Sequence, residues 1–233
     1  MSMPAAADHQ LDERHLDVES KHYPVATTAS TPQSLFAAPT IANPGPLGLS
    51  AFALTTFVLS LHNAGAGVPA AGPSNVVVGL AFFYGGVVQL CAGMWEFLTG
   101  NTFGATAFSS YGGFWLSYAL IFIPGADILG AYGKVDVMVL ERSLGIYLIS
   151  WAIFTALLLI ASHRSSVGLV SLFFCLFITF VLLAAAKFNN SVTTQVAGGA
   201  FGVITAIIAW YNALSGLLTK DSSYFLLPVG RLS

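Results

Sequence analysis

The chain has 233 residues, 56% of them hydrophobic and only 8% charged. Soluble domains run near a quarter charged, so lipid is this protein's main solvent. A net charge of −2 offers no basic surface for nucleic acid, and Cys91 and Cys175 both sit inside apolar runs, where they read as small packing residues rather than a disulfide framework or a metal set.

Residues 1–42 are polar, carry several charges and lack periodicity, which reads as a disordered tail. The tail has no apolar core ahead of a small-residue cleavage site, so the first spanning helix is expected to serve as the insertion signal. Ser20, Thr27, Thr28, Ser30 and Thr31 in it are candidate phosphate acceptors. From residue 43 onward, uncharged apolar runs alternate with clustered charges. A spanning helix needs about 20 mostly apolar residues. The runs fit six helices, near 47–64, 75–97, 105–124, 143–162, 166–186 and 196–219. The expected fold is an all-α membrane protein with a transmembrane domain over 43–221 and a short C-terminal tail over 222–233.

The first run opens with NPGPLGLSAF at 43–52. Asn43 is a good N-cap. Pro44 then falls at the first helical position and Pro46 in the first turn, where N–H groups have no intrahelical partner anyway. The resulting small-residue mouth, with free N–H groups at a positive dipole end, favours a carboxylate. One face of this helix carries Phe52, Thr56, Leu59 and Asn63. His62 reads as a polar cap rather than a metal ligand, because no second ligand lies at i+4. It remains a candidate for proton handling.

The second run places Gly85, Gln89, Gly93 and Glu96 on one face. Gln89 and Asn63 bring amides to lipid depth, where an unpaired amide costs a few kcal/mol. They must pair with each other or line a wet cavity. Glu96, in GMWEFLTGN, reads either as an interfacial carboxylate beside a Trp anchor or as a gating or proton-handling group at a vestibule. The loop GAGVPAAG between these two runs resembles a dinucleotide loop. Pro69 blocks the helix that such a loop needs, and no strand precedes it.

The third run gives the stripe Thr106, Ser110, Gly113 and Ser117, and the fourth Tyr147, Trp151 and Thr155. The fifth gives Gly168, Ser171, Cys175 and Thr179, and the sixth Gly198, Gly202, Thr205, Ala209, Asn212 and Gly216. Small residues four apart let membrane helices approach closely, so the sixth stripe reads as packing. No stripe holds two charges, which argues against a wide ion pore or a voltage sensor. GxSxG, HExxH and P-loop motifs are missing, and no nucleophile–base pair is visible, so an enzyme is the least expected reading.

An even helix count puts both termini on one side. Positive charge does not choose that side. With the N-terminus inside, Arg14, Lys21, Arg164, Lys220 and Arg231 face Lys134, Arg142 and Lys187, and dropping the distant Arg14 and Lys21 balances the two sets.

Several stretches carry a resemblance. NPGPLGL at 43–49, LHN at 61–63, FFYGGVVQ at 82–89 and GMWEFLTGNTFGATAFSSYGGFW at 93–115 are similar to the acetate uptake transporter family, the succinate–acetate permease-like proteins of bacteria and fungi. GIYLISWAIFT at 145–155 and ITAIIAWYNALSGLL at 204–218 fit as well. The likeness covers about residues 43–230, and Gly45 departs from it where the family often has Ala. The long tail and the FGATAFSSYG wording resemble fungal members. The resemblance implies six helices per protomer, both termini cytoplasmic in a plasma membrane, and a homohexamer with one path per protomer. It implies proton-coupled uptake of acetate and related monocarboxylates, with no cofactor. It also implies a hydrophobic constriction of an aromatic, a Tyr and a Leu, matched here by Phe52, Tyr111 and Leu176.

A short carboxylate is nearly all charged at neutral pH, and a bare anion does not cross lipid cheaply. Hydroxyls and amides with an apolar neck hydrate the head group and exclude bulk water, and dewetting at such a neck is a gate. Phe52 and Leu176 suit the neck, and Tyr111 is expected to add a hydroxyl at its edge. Asn43, Thr56, Asn63, Gln89, Thr106 and Ser110 are candidate contacts for the carboxylate. No basic residue falls in the expected path, so hydrogen bonds and helix ends are left to hold the anion. Two other readings compete: an ammonium or ammonia exporter, since an apolar neck also passes a small neutral molecule, and a non-transporting membrane sensor that signals through its tail.

Overall fold

The computed structural model describes residues 41–133 and 135–232. The tail up to residue 40, with its candidate phosphate acceptors, and Lys134 lie outside the described residues. Within them the regular structure is helical, apart from a bridge pairing Ser166 with Arg231.

Six long helices follow in order: α1 Gly45–Ala64, α2 Val77–Leu98, α3 Thr102–Phe122, α4 Val137–Ala161, α5 Val167–Asn189 and α6 Val192–Leu217. All but α3 are long and apolar enough to cross a membrane. α3 has 21 residues but spends several on Thr, Ser and Gly, and its buried face lies inside the bundle.

Local chemistry sets the ends. The Asn43 side chain accepts the Gly45 N–H at 2.9 Å, and Pro44 is already helical, its carbonyl accepting the Gly48 N–H at 3.1 Å. Gly65, at φ 74°, closes α1 by donating to the His62 carbonyl at 3.0 Å. Side chains of Asn101, Asp136, Ser166 and Ser191 cap α3, α4, α5 and α6. α4 begins at Val137 rather than near 143, because Asp136 starts the helix and Glu141 and Arg142 ride within it. α6 likewise starts at Val192, behind Asn190 in the left-handed conformation at φ 48°.

α2 departs from a regular helix. Residues Phe83–Val88 form a π turn, which the 3.6-residue period does not reveal. A Cβ on Gly86 would fall 2.6 Å from the Ala81 carbonyl oxygen five residues back, so the wide turn needs glycine there. α6 packs along α1 through its small residues Gly199 and Gly202, both buried, while Gly198 packs against Leu183 of α5.

The C-terminal segment does not hang free. The Val167 N–H donates to the Gly230 carbonyl at 2.7 Å and the Gly168 N–H to the Val229 carbonyl at 3.1 Å. Tyr211 and Ser215 on α6 donate to the carbonyls of Pro228 and Leu227. Val229 and Gly230 thus take up backbone N–H groups that the start of α5 leaves without helical partners.

Candidate functional site

Two cavities lie in series inside the helix bundle. The smaller, about 180 Å³, is lined by residues of the α1 end from Asn43 to Phe52, by Gln89 and Glu96 of α2, by the cap residue Asn101 and one face of α3 that includes Gly104, Ala107 and Tyr111, and by Leu169, Leu172, Phe173 and Leu176 of α5. The larger, about 420 Å³, is lined by Phe52, Thr56, Ser60 and Asn63, by Trp115 and Tyr118, by Glu141 and Tyr147, and by Leu176, Lys187 and Gln195, among others. Phe52 and Leu176 are the residues the two linings share. Both are buried, at 5% and 3% exposure. An aromatic and a branched aliphatic side chain therefore stand between the two spaces.

Tyr111 lies beside them, its ring centroid 5.8 Å from that of Phe52. It lines the smaller cavity only. Its hydroxyl does not edge an open passage as expected. It shares a 2.9 Å hydrogen bond with Thr155 on α4, because the ring is packed among Trp151, Phe154 and Phe173 and the hydroxyl points across to α4.

On the small-cavity side, Gln89 is 1% exposed and its Oε1 has no protein partner. A buried amide left unpaired costs about 1–3 kcal/mol. Gln89 and Asn63 do not pair with each other: Asn63 lines the larger cavity and accepts from Gln195 Nε2 at 3.4 Å. Across the neck, Thr56 Oγ1 and Trp115 Nε1 are buried without a protein partner and line the larger cavity. Buried polar atoms without protein partners thus flank the apolar neck on both sides.

Glu96 is 3% exposed, so it is not an interfacial carboxylate bathed in water. Its Oε2 accepts from Asn101 Nδ2 at 2.8 Å and from Thr99 Oγ1 at 3.2 Å. Asn101 has two roles, since its Oδ1 also caps α3 by accepting the Gly104 N–H at 3.0 Å. A Cβ on Gly104 would sit 2.9 Å from the Glu96 carboxyl carbon, and one on Gly45 would sit 3.4 Å from Oε1. The N-terminal ends of α1 and α3 both abut this carboxylate, and their positive dipole ends favour it. The α1 mouth that favours a carboxylate therefore has the protein's own beside it.

Three sequence candidates need correction. Thr106 is exposed and bonds the Thr102 carbonyl of its own helix, and Ser110 lines neither cavity. The face of α3 that meets the cavities runs through Gly104, Ala107, Phe108 and Tyr111, offset from the polar stripe. His62 also lines neither cavity, and its Nδ1 contacts the Val58 carbonyl at 2.8 Å.

The larger cavity also contains a cation that sequence reasoning missed. Lys187 lines the larger cavity and pairs with Glu141 at 2.8 Å. It looks like a loop charge at the end of an apolar run. However, it falls about three helical turns beyond Leu176, on the same face of α5. That spacing was the available signal.

The profile of the GPR1/FUN34/yaaH family matches residues 27–233. The chain is 52% identical over 189 residues to Ammonia transport outward protein 2 of Saccharomyces cerevisiae, covering 80% of this chain and 65% of that protein. It is 47% identical over 198 residues to Acetate permease A of Emericella nidulans, covering 81% of this chain and 65% of that one. It therefore spans slightly under two thirds of the length of these relatives. Among solved structures, that of the bacterial acetate channel SatP superposes with a TM-score of 0.71 at 34% identity, covering 82% of this chain and all of that one.

Proposed function

Because the chain belongs to the GPR1/FUN34/yaaH family, we propose that it carries acetate and related short-chain monocarboxylates across a membrane, in a proton-coupled fashion. The observation that carries this reading is the pair of cavities meeting at Phe52 and Leu176, with unpartnered polar atoms on either side. A carboxylate is amphipathic. Gln89 and Thr56 suit its head group before and after the neck, Asn43 and Asn63 suit it farther out, and the neck excludes bulk water while the methyl group slips through. Phe52 and Leu176 form the constriction, with Tyr111 as its rigid aromatic wall. Glu96, buried beside the smaller cavity, is the gating or proton-handling candidate of this reading.

In this reading all six long helices span a plasma membrane. The 21 residues of α3 reach about 31 Å, enough for a hydrocarbon core. Both termini then share one side, taken as cytoplasmic from the family resemblance, which also suggests a homohexamer with one path per protomer.

Labelled acetate uptake into vesicles holding only this protein, with and without an inward proton gradient, tests the reading. Uptake concentrated by the gradient supports a proton-coupled carrier; uptake that merely equilibrates supports a channel-like path. A relative named for ammonia transport favours a second reading, export of ammonia or ammonium. Competition by acetate against ammonium flux separates the two.

A further inference from the structure

The Glu141–Lys187 pair stands outside the neck machinery. It lies at the far end of the larger cavity, about 16 Å along α5 from Leu176. The two side chains keep 22% and 30% of their surface exposed, so they sit where the cavity meets solvent. Lys187 is the one cation lining either cavity among the described residues. Asn63, Gln195 and apolar side chains of α4 and α5 line the same cavity.

The end of a glutamate side chain is a methylene bearing a carboxylate, the chemical twin of acetate. The 2.8 Å contact therefore displays the geometry a small carboxylate takes up on Lys187. We propose that Lys187 is the station that receives a carboxylate entering the larger cavity, and that Glu141 occupies it as the protein's own substitute ligand until the entering carboxylate displaces it. Exchange of one carboxylate for another leaves the pairing of Lys187 unchanged. An ion pair reached by solvent is weakened, so the exchange is easy in both directions. The cation sits at the mouth and not at the neck, where a tightly held anion would block passage. The inference rests on the acetate reading above.

The test compares Lys187→Gln, Lys187→Arg and Glu141→Gln in vesicles, with labelled acetate at low and high salt, after thermal unfolding has verified that each variant is folded. Lys187→Gln is expected to raise the half-saturating acetate concentration about tenfold with the maximal rate nearly unchanged. Glu141→Gln, which removes the competitor, is expected to lower it. Lys187→Arg should stay near wild type. Raised salt should weaken wild-type uptake at low acetate and leave Lys187→Gln nearly indifferent. Opposite signs from the two members of one ion pair support the assignment. A purely structural pair gives losses of the same sign, or none, and either result overturns it while leaving the acetate reading intact. If the folded wild type takes up no acetate, both fall together. If it carries ammonium instead and Glu141→Gln weakens that flux, the receiving group is Glu141 and the assignment to Lys187 is overturned.

Discussion

The two cavities each contain a carboxylate, and they hold it by different means. In the smaller one, Glu96 is fully buried and its partners are neutral: the Asn101 amide, the Thr99 hydroxyl and two helix ends. In the larger one, Glu141 is partly exposed and its partner is a full charge, Lys187. Neutral donors and dipoles fix a buried carboxylate in place without adding a second charge to desolvate. A cation at the wet rim attracts and releases. On the proposal above, the inner site keeps its carboxylate and the outer one trades it, with Phe52 and Leu176 lying between the two.

The contrast is broken most completely at the neck. Phe52→Ala should merge the cavities, at a packing cost of about 3–5 kcal/mol for a buried Phe. Bulkier acids should then enter, and unchanged size selectivity in uptake would remove Phe52 from the constriction. Next is the inner carboxylate. Asn101→Ala removes a helix cap and a Glu96 donor together, and should lower stability by about 2–4 kcal/mol. Lys187→Gln should cost less than about 1 kcal/mol. Thermal unfolding of the two variants side by side checks this, and equal losses would erase the distinction between the sites. Gln89→Leu keeps the volume but removes the unpartnered amide. Acetate flux should fall about tenfold with the bundle still folded, whereas normal flux would assign Gln89 to packing. The smallest effect belongs to Thr106→Ala, on the outer face of α3, which should leave uptake unchanged and stability within about 0.5 kcal/mol.

The helices themselves were legible because charges bracket the apolar runs. Their ends were less so, since Asp136 and Ser191 start α4 and α6 ahead of the apolar cores. Phe52, Gln89 and Leu176, named from residue type and resemblance, line the cavities. Thr106 and Ser110 were misplaced because a periodic stripe says that residues share a face, not which neighbour that face meets. The π turn at Phe83–Val88 shifts the phase of α2 by one residue, and no hydrophobic period reports that. Lys187 was missed because charge at a helix end reads as solvent-facing until α4 is seen to place Glu141 against it.

The segment that folds back over the start of α5 also provides a probe. With carbonyls of Gly230 and Val229 covering them, the amides of Val167 and Gly168 should exchange slowly with deuterated solvent while the segment is seated and quickly once it lifts. Two protons at the foot of the helix that carries Leu169, Leu172 and Leu176 would then serve as a clock for how often that helix end is released, read without any substrate at all.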